Sequence, residues 1–186
     1  MMSGETALQP RVFISHKQED SLSAKFVRDE LLKYKVNAYL DLLDPEMDDD
    51  AKKLTEHLKK QMNKCSDLLV VMSSKTHKSW WVPFEIGMAA HKDLPTVTYL
   101  KEFVDVPEYL SFWPYLKSDS EIGVYARGVQ RRFSRILQES VTAASESFGM
   151  DSYSRLRSSV TTNAFYESLD RSLRVHRIAE KKSKIM

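Results

Sequence analysis

Cysteine and glycine are scarce in this chain, and their scarcity excludes several classes of protein. Cys65 is the single cysteine in 186 residues, so no disulfide can form within the chain, and a cytoplasmic location is expected. The five glycines form neither a GxGxxG nor a GxxxxGK phosphate-binding loop. Metal-binding CxxC and HExxH patterns and the GxSxG nucleophile motif are also missing. We therefore expect no metal site and no bound cofactor.

Long apolar runs are absent as well. The longest is about five residues, far short of the ~20 that a membrane-spanning helix needs. The first ten residues lack the basic and apolar segments of a secretory signal. The remaining composition, 42% hydrophobic and 29% charged, is typical of a globular domain.

The net charge of +2 is unevenly distributed, with an acidic excess in residues 1–119 and a basic excess in residues 120–186. A basic segment can contact nucleic acid, an acidic protein or a membrane surface. Here acids are interspersed among the bases, which favours a solvated helical face. We therefore expect neither a membrane nor a nucleic acid as partner.

Hydrophobic periodicity predicts alternating strands and helices. Short apolar runs typical of strands occupy residues 11–15, 36–40, 66–72 and 95–100. Helical spacing links them: a helix over 21–34 with Ser21 as N-cap, a helix carrying Leu54, Leu58 and Met62, and a helix over 80–91. In the last helix, Gly87, Ala89 and Ala90 form a small-residue surface suited to close packing. This order predicts a parallel sheet flanked by helices.

The C-terminal part of the chain is predicted to be helical. Residues 101–118 read as a long loop, followed by helices over 122–138, 152–160 and 163–178. We divide the chain into a domain over residues 11–118 and a C-terminal helical extension over residues 119–186, packed on or beside it.

Polar residues gather where the predicted strands end. Ser15 and His16 follow the first strand, Asp41 and Asp44 follow the second, and a polar loop leading to Glu85 follows the third. In an open parallel sheet, ligands bind outside the carboxyl ends of the strands. We therefore expect these loops to form a common site.

Trp81 and Glu85 are four residues apart and share one face of the predicted helix. A carboxylate beside a large aromatic ring suits a cationic ring attached to a sugar. Each residue also has an ordinary interpretation: Glu85 as a surface glutamate, Trp81 as core packing, His16 as a loop residue and Asp41 as a cap of its own loop. Trp80 is expected to be structural.

Four segments, in their order and spacing, resemble a TIR domain. They are FISH at 13–16, YLD at 39–41, CSDLLVVMS at 65–73 and SWWVPFEIGMA at 79–89. The resemblance covers residues 11–100. It implies an α/β fold with a flavodoxin-like parallel sheet, the TIR fold, followed here by the helical extension.

The resemblance also implies an activity. Many bacterial and plant TIR domains cleave NAD at the nicotinamide–ribose bond, releasing ADP-ribose or a cyclic isomer of it. Their key glutamate matches Glu85, and a tryptophan four residues earlier matches Trp81. Ser15, His16, Asp41 and Asp44 would then contact NAD, which is a substrate here and not a cofactor.

A stand-alone TIR of this size is similar to the TIR protein of bacterial Thoeris anti-phage systems, where a cyclic nucleotide activates a separate effector. Two alternatives remain open. One is a TIR interaction module that self-associates and performs no chemistry. The other is a nucleoside deoxyribosyltransferase, a related sheet enzyme that also places a glutamate beside a sugar.

Overall fold

The computed structural model describes residues 9–40, 51–142 and 159–184. The strands are β1 (Arg11–Ser15), β2 (Asn37–Leu40), β3 (Asp67–Met72), β4 (Thr96–Leu100) and β5 (Tyr115–Leu116). The helices are α1 (Ser21–Lys33), α2 (Ala51–Asn63), α3 (Trp81–His91), α4 (Asp119–Thr142) and α5 (Ser159–Ser183). The predicted loop over 41–50 and most of the predicted helix over 152–160 lie outside the described residues.

The five strands form one parallel sheet in the order β2-β1-β3-β4-β5. This doubly wound order reverses between β1 and β3, and open sheets bind ligands at such a switch point. All six residues of β3 are buried. The sheet is covered on both faces, which explains why residues 68–72 of this strand are all apolar.

Alternate strand residues supply two separate hydrophobic clusters. Val12, Ile14 and Leu69 pack with residues of α1, α4 and α5. Phe13, Leu68 and Val70 pack with residues of α2 and α3 on the opposite face. Successive side chains of a strand point to opposite faces, so each strand contributes to both halves of the core.

The parallel α/β architecture and the four predicted strands are confirmed. The predicted loop over 101–118 is wrong in part, because it contains the short strand β5. A two-residue strand shows no periodicity. The predicted break between residues 160 and 163 is also wrong, since α5 runs through Thr161 and Thr162. β-branched residues weaken a helix only slightly and do not end it.

The C-terminal helices pack on the sheet. Ile122, Tyr125 and Val129 of α4 and Phe165 and Leu169 of α5 belong to the cluster that covers one face of β1, β3 and β4. The predicted division between residues 118 and 119 stays a prediction.

The sequence predicted Ser21 as the N-cap of α1, and this is wrong. Ser21 is the first residue of the helix, and Asp20 occupies the N-cap position at the end of a short 3-10 turn, Gln18–Asp20. The Asp20 side chain makes no capping hydrogen bond. It instead accepts hydrogen bonds from the Ser73 and Thr76 hydroxyls, in the loop after β3.

The predicted small-residue packing surface of α3 is wrong at two of its three positions. Ala89 is buried, whereas Gly87 and Ala90 are exposed, and a Cβ added at Gly87 meets no atom within 4 Å. Glycine in a helix interior costs about 0.5–1 kcal/mol relative to alanine. We expect Gly87→Ala to raise the free energy of unfolding by about that amount, measured by chemical denaturation.

Gly128→Ala is the matched control, because this glycine of α4 is closely packed. A Cβ there would lie 3.2 Å from Cε2 of Phe165. We expect a smaller gain or a loss at this position. A loss of stability in Gly87→Ala, or a gain no larger than that of Gly128→Ala, would contradict the open surroundings of Gly87.

Tyr166 makes the stability of the fold sensitive to alkaline pH. The Thr96 backbone N–H on β4 donates a hydrogen bond of 2.7 Å to its hydroxyl oxygen. Burial, the largest effect, raises the pKa of Tyr166 to about 12. An unfolded tyrosine loses its proton near pH ~10. The stability contributed by the neutral phenol is therefore complete below about pH 10 and is lost as the pH rises toward 12.

We expect the free energy of unfolding to fall between pH 9 and pH 11.5, and to fall less in Tyr166→Phe. Urea denaturation at the two pH values measures the difference. Burial also raises the pKa of Tyr99 and Tyr125, so the substitution should reduce the loss without abolishing it. An identical loss in the variant would contradict the contribution of Tyr166.

Candidate active site

Ser15 and Glu85 are in direct contact at the carboxyl edge of the sheet. Ser15 is the last residue of β1 and is fully buried, and Glu85 is only 3% exposed. The Ser15 hydroxyl donates a short hydrogen bond to Oε2 of Glu85. Glu85 is therefore not a surface glutamate, and the structure brings together two of the residues predicted from the sequence.

The pattern of α3 explains how a carboxylate comes to be buried. Its buried residues are Val82, Glu85, Ile86 and Ala89. This spacing defines one face of a helix, and the three apolar members join the cluster under β1 and β3. Glu85 lies on the same inward face and reaches the end of β1, beside the point where the strand order reverses.

His16, the next residue after Ser15, is half-buried. Its Nδ1 lies 3.4 Å from the carbonyl oxygen of Ile14. Burial lowers the pKa of His16 below its usual value, and the Ile14 carbonyl and the nearby Asp20 carboxylate oppose that shift. The imidazole is therefore neutral at pH 7 and adds no positive charge to the site.

A second buried acid, Asp20, was not predicted. Its side chain accepts hydrogen bonds from the Ser73 hydroxyl at 2.6 Å and from the Thr76 hydroxyl at 3.2 Å, both through Oδ2. Nζ of Lys101 lies 3.6 Å from Oδ1. Asp20 thus connects the loops that follow β1, β3 and β4 and fixes the start of the segment leading to α3.

The sequence contained a weak signal for this network. Ser73 and Thr76 are small polar residues placed directly after a buried strand, where ligands and loop-fixing bonds are both common. Asp20 resembled an ordinary residue before a helix. Its partner is 53 positions away in the chain, so local pattern could not reveal it.

The two tryptophans at the start of α3, Trp80 at the N-cap position and Trp81 as the first helical residue, differ in burial. Trp81 is half-buried against the α2–α3 cluster, and its ring meets Phe84 edge-on at a centroid distance of 5.7 Å. Trp80 was expected to be structural, and this is wrong, because it is 91% exposed. Trp81 is only partly buried, and its position four residues before Glu85 places both residues on one face of α3.

Asp41 and Asp44 lie outside the described residues, so their contribution to the site stays a prediction. Within the described part of the chain, no helix is long and apolar enough to cross a membrane. The same residues contain no cluster of three or more acids, histidines or cysteines that could hold a metal ion.

Comparison with known proteins identifies the family. Residues 12–116, more than half of the chain, match the TIR domain family. This chain therefore belongs to the TIR domain family. A comparison with curated proteins finds no match.

Two solved structures are similar to this chain to different degrees. The fold is similar to the TIR domain of the Toll-related receptor TRR-2 from Hydra magnipapillata, with a TM-score of 0.51 and 16% identity, over 64% of this chain and 94% of that one. At this identity the likeness shows the fold alone. A diflavin flavoprotein A3 from Nostoc sp. gives a TM-score of 0.39 at 10% identity, over 91% of this chain and 99% of that one, which is too low to support an argument.

Proposed function

We propose that this TIR domain cleaves NAD at the bond between nicotinamide and ribose. The observation that carries the proposal is the buried Glu85 carboxylate, hydrogen-bonded to Ser15 beside the switch point of the sheet. Burying a carboxylate is costly, and such a group at the ligand-binding edge of an α/β sheet is a functional-site candidate.

The chemistry needs few participants. When the glycosidic C–N bond breaks, its electron pair moves to the ring nitrogen, and the cationic pyridinium leaves as neutral nicotinamide. Positive charge develops on the ribose, and a fixed carboxylate stabilises it or accepts hydrogen bonds from the ribose hydroxyls. Water then adds to the ribose and loses a proton, or a group of the same ADP-ribose adds and closes a ring. No general acid is required for the departure of nicotinamide.

The neighbouring residues fit supporting roles. The Ser15 hydroxyl donates to Oε2 of Glu85 and so helps to fix the orientation of the carboxylate. The neutral His16 does not repel the cationic nicotinamide. The Asp20 network keeps the loop before α3 in place. In this proposal Ser15 and His16 line the substrate pocket, and Asp41 and Asp44 complete it.

Trp81 is proposed to hold the cationic nicotinamide ring. An indole contributes about 0.5–2 kcal/mol to such a contact, which corresponds to roughly 2- to 30-fold in affinity. We expect Trp81→Ala to raise KM by a factor in that range with less effect on kcat, measured as initial rates of nicotinamide release. The KM of Trp81→Phe should lie between that of Trp81→Ala and that of the wild type.

Trp80→Ala is the matched control, since Trp80 is the adjacent residue and is exposed. It should leave KM within about twofold, because it removes no contact of the proposed site. An unchanged KM in Trp81→Ala would show that the indole ring does not bind nicotinamide.

We further propose that the product is a cyclic ADP-ribose-type signal read by a separate effector in anti-phage defence. The support is the resemblance of the motifs of this chain, in their order and spacing, to those of bacterial TIR proteins. A cyclised product differs from ADP-ribose by the mass of one water. Detection of ADP-ribose alone would overturn cyclisation and leave NAD cleavage in place.

A second candidate function, TIR–TIR self-association without chemistry, is favoured by one observation. Trp80 is 91% exposed, and Phe84, four residues further along α3, is 40% exposed. Two large apolar side chains on one helix face are common at protein interfaces. Incubation of the purified protein with NAD separates the two functions: nicotinamide release supports the enzyme, and no release at high protein concentration, with or without self-association, supports the scaffold.

A further inference from the structure

We propose that a hollow between α4 and α5 binds a small nucleotide-class ligand through its phosphate groups. The hollow has a volume of about 470 Å³, within the usual range of about 300–1,000 Å³ for small-molecule sites. α4 and α5 pack on one face of the sheet, whereas α3, which carries Glu85, packs on the other. This site is therefore separate from the candidate active site and does not depend on the proposed function.

Three arginines line this hollow. Arg127 and Arg131 are four residues apart on α4, and Arg171 faces them from α5. Arg127 is held in place by Tyr34: its guanidinium carbon lies 5.2 Å from the centre of the ring, and Nη1 donates a 3.1 Å hydrogen bond to the hydroxyl. Arginine is the residue best suited to phosphate, since its planar fork donates two parallel hydrogen bonds.

Two of these cations form no ion pair within the described part of the chain. Among the described residues, Arg131 and Arg171 form no ion pair, whereas neighbouring arginines of the same two helices do. Arg135 pairs with Glu139, and Arg174 pairs with Asp170. Like charges gathered at one place repel each other, and a bound anion would relieve that repulsion.

The rest of the lining indicates what else the ligand carries. Val175 provides apolar surface above the buried Val124, which is 4% exposed, and His176 adds a ring. Val175 is 64% exposed. An aromatic base would cover this surface while its phosphates meet the arginines. Glu139 and Asp170, on the same two helices, would repel the extended phosphate backbone of a nucleic acid. This charge distribution therefore favours a compact nucleoside polyphosphate.

ATP is a suitable probe, and isothermal titration of the full chain is the measurement. We expect saturable binding that weakens by about tenfold or more in the double variant Arg131→Gln/Arg171→Gln, which removes two charge-assisted contacts. Arg174→Gln is the matched control. It lies on the same helix as Arg171 and does not line the hollow, so it should leave the affinity within about twofold. Arg131→Lys keeps the charge without the fork and should give an intermediate affinity.

Several results would overturn this site. They are the absence of ATP binding, equal weakening by Arg174→Gln, or an unchanged ATP affinity in the double variant Arg131→Gln/Arg171→Gln, which would place the ligand elsewhere on the protein. Tighter binding of a 20-nucleotide single strand with the same arginine dependence would replace the small ligand by a nucleic acid. Adenosine and pyrophosphate should each bind more weakly than ATP, and equal binding of adenosine would remove the phosphate contact.

Discussion

Replacing Glu85 by glutamine is expected to lower kcat for nicotinamide release by at least about a hundredfold. Gln keeps the shape of the side chain and removes its negative charge. Loss of one preorganised group that stabilises transition-state charge costs roughly 10²–10³ in kcat. The effect should fall on kcat more than on KM, because the ribose becomes cationic only as the bond breaks.

Glu56→Gln provides the control for this experiment. It makes the same chemical change at an exposed position of α2 and should leave the rate unchanged. Circular dichroism of both variants verifies that the fold is intact. A Glu85→Gln rate within a few-fold of the wild type would show that the carboxylate is not part of the chemistry.

Asp67→Ala is expected to destabilise the protein by about 3–5 kcal/mol, the usual cost of breaking a buried ion pair. Nη2 of Arg132 on α4 lies 2.7 Å from Oδ2 of Asp67, the first residue of β3, and the two side chains are 3% and 0% exposed. The Ser66 hydroxyl donates to the same oxygen at 2.6 Å. The Arg132 guanidinium also stacks on Phe165, 4.3 Å from the ring centre.

The large cost follows from the charge that is left behind. Without Asp67, the arginine stays buried between the sheet and α5 with no counter-ion. Urea denaturation measures the loss, and Asp170→Ala, which breaks the exposed pair with Arg174, should cost no more than about 1 kcal/mol. The double variant Asp67→Leu/Arg132→Met should recover most of the stability. If Asp67→Ala cost as little as Asp170→Ala, the pair would not secure α4 to the sheet.

Most of the fold could be predicted because its elements have strong local patterns. β3 is apolar from residue 68 to residue 72 since it is the central strand, and α3 follows it with a clear helical face. β5 could not be predicted, because two residues are too short for any period and their pairing with β4 is a tertiary effect. The sequence predicted a break within α5, because its polar and β-branched residues at 160–163 are weak helix formers. The packed helix tolerates these residues and continues through them.

The sequence could predict where in the fold the site lies, but it could not predict which side chains are in contact there. Parallel strands bring their carboxyl ends to one edge, so Ser15 and Glu85 could be assigned to the same edge from the sequence. Their hydrogen bond joins residues 70 positions apart, and nothing local to either one specifies it. The Asp20 network is of the same kind, with partners on three separate loops.

Mass spectrometry of NAD incubated with the purified protein, wild type against Glu85→Gln, tests directly whether this domain cleaves NAD through Glu85. The wild type should yield nicotinamide together with ADP-ribose or its dehydrated cyclic isomer, and the variant should leave NAD largely intact. Intact NAD with the wild type at high protein concentration, or the same products in equal yield from the variant, would contradict this proposal.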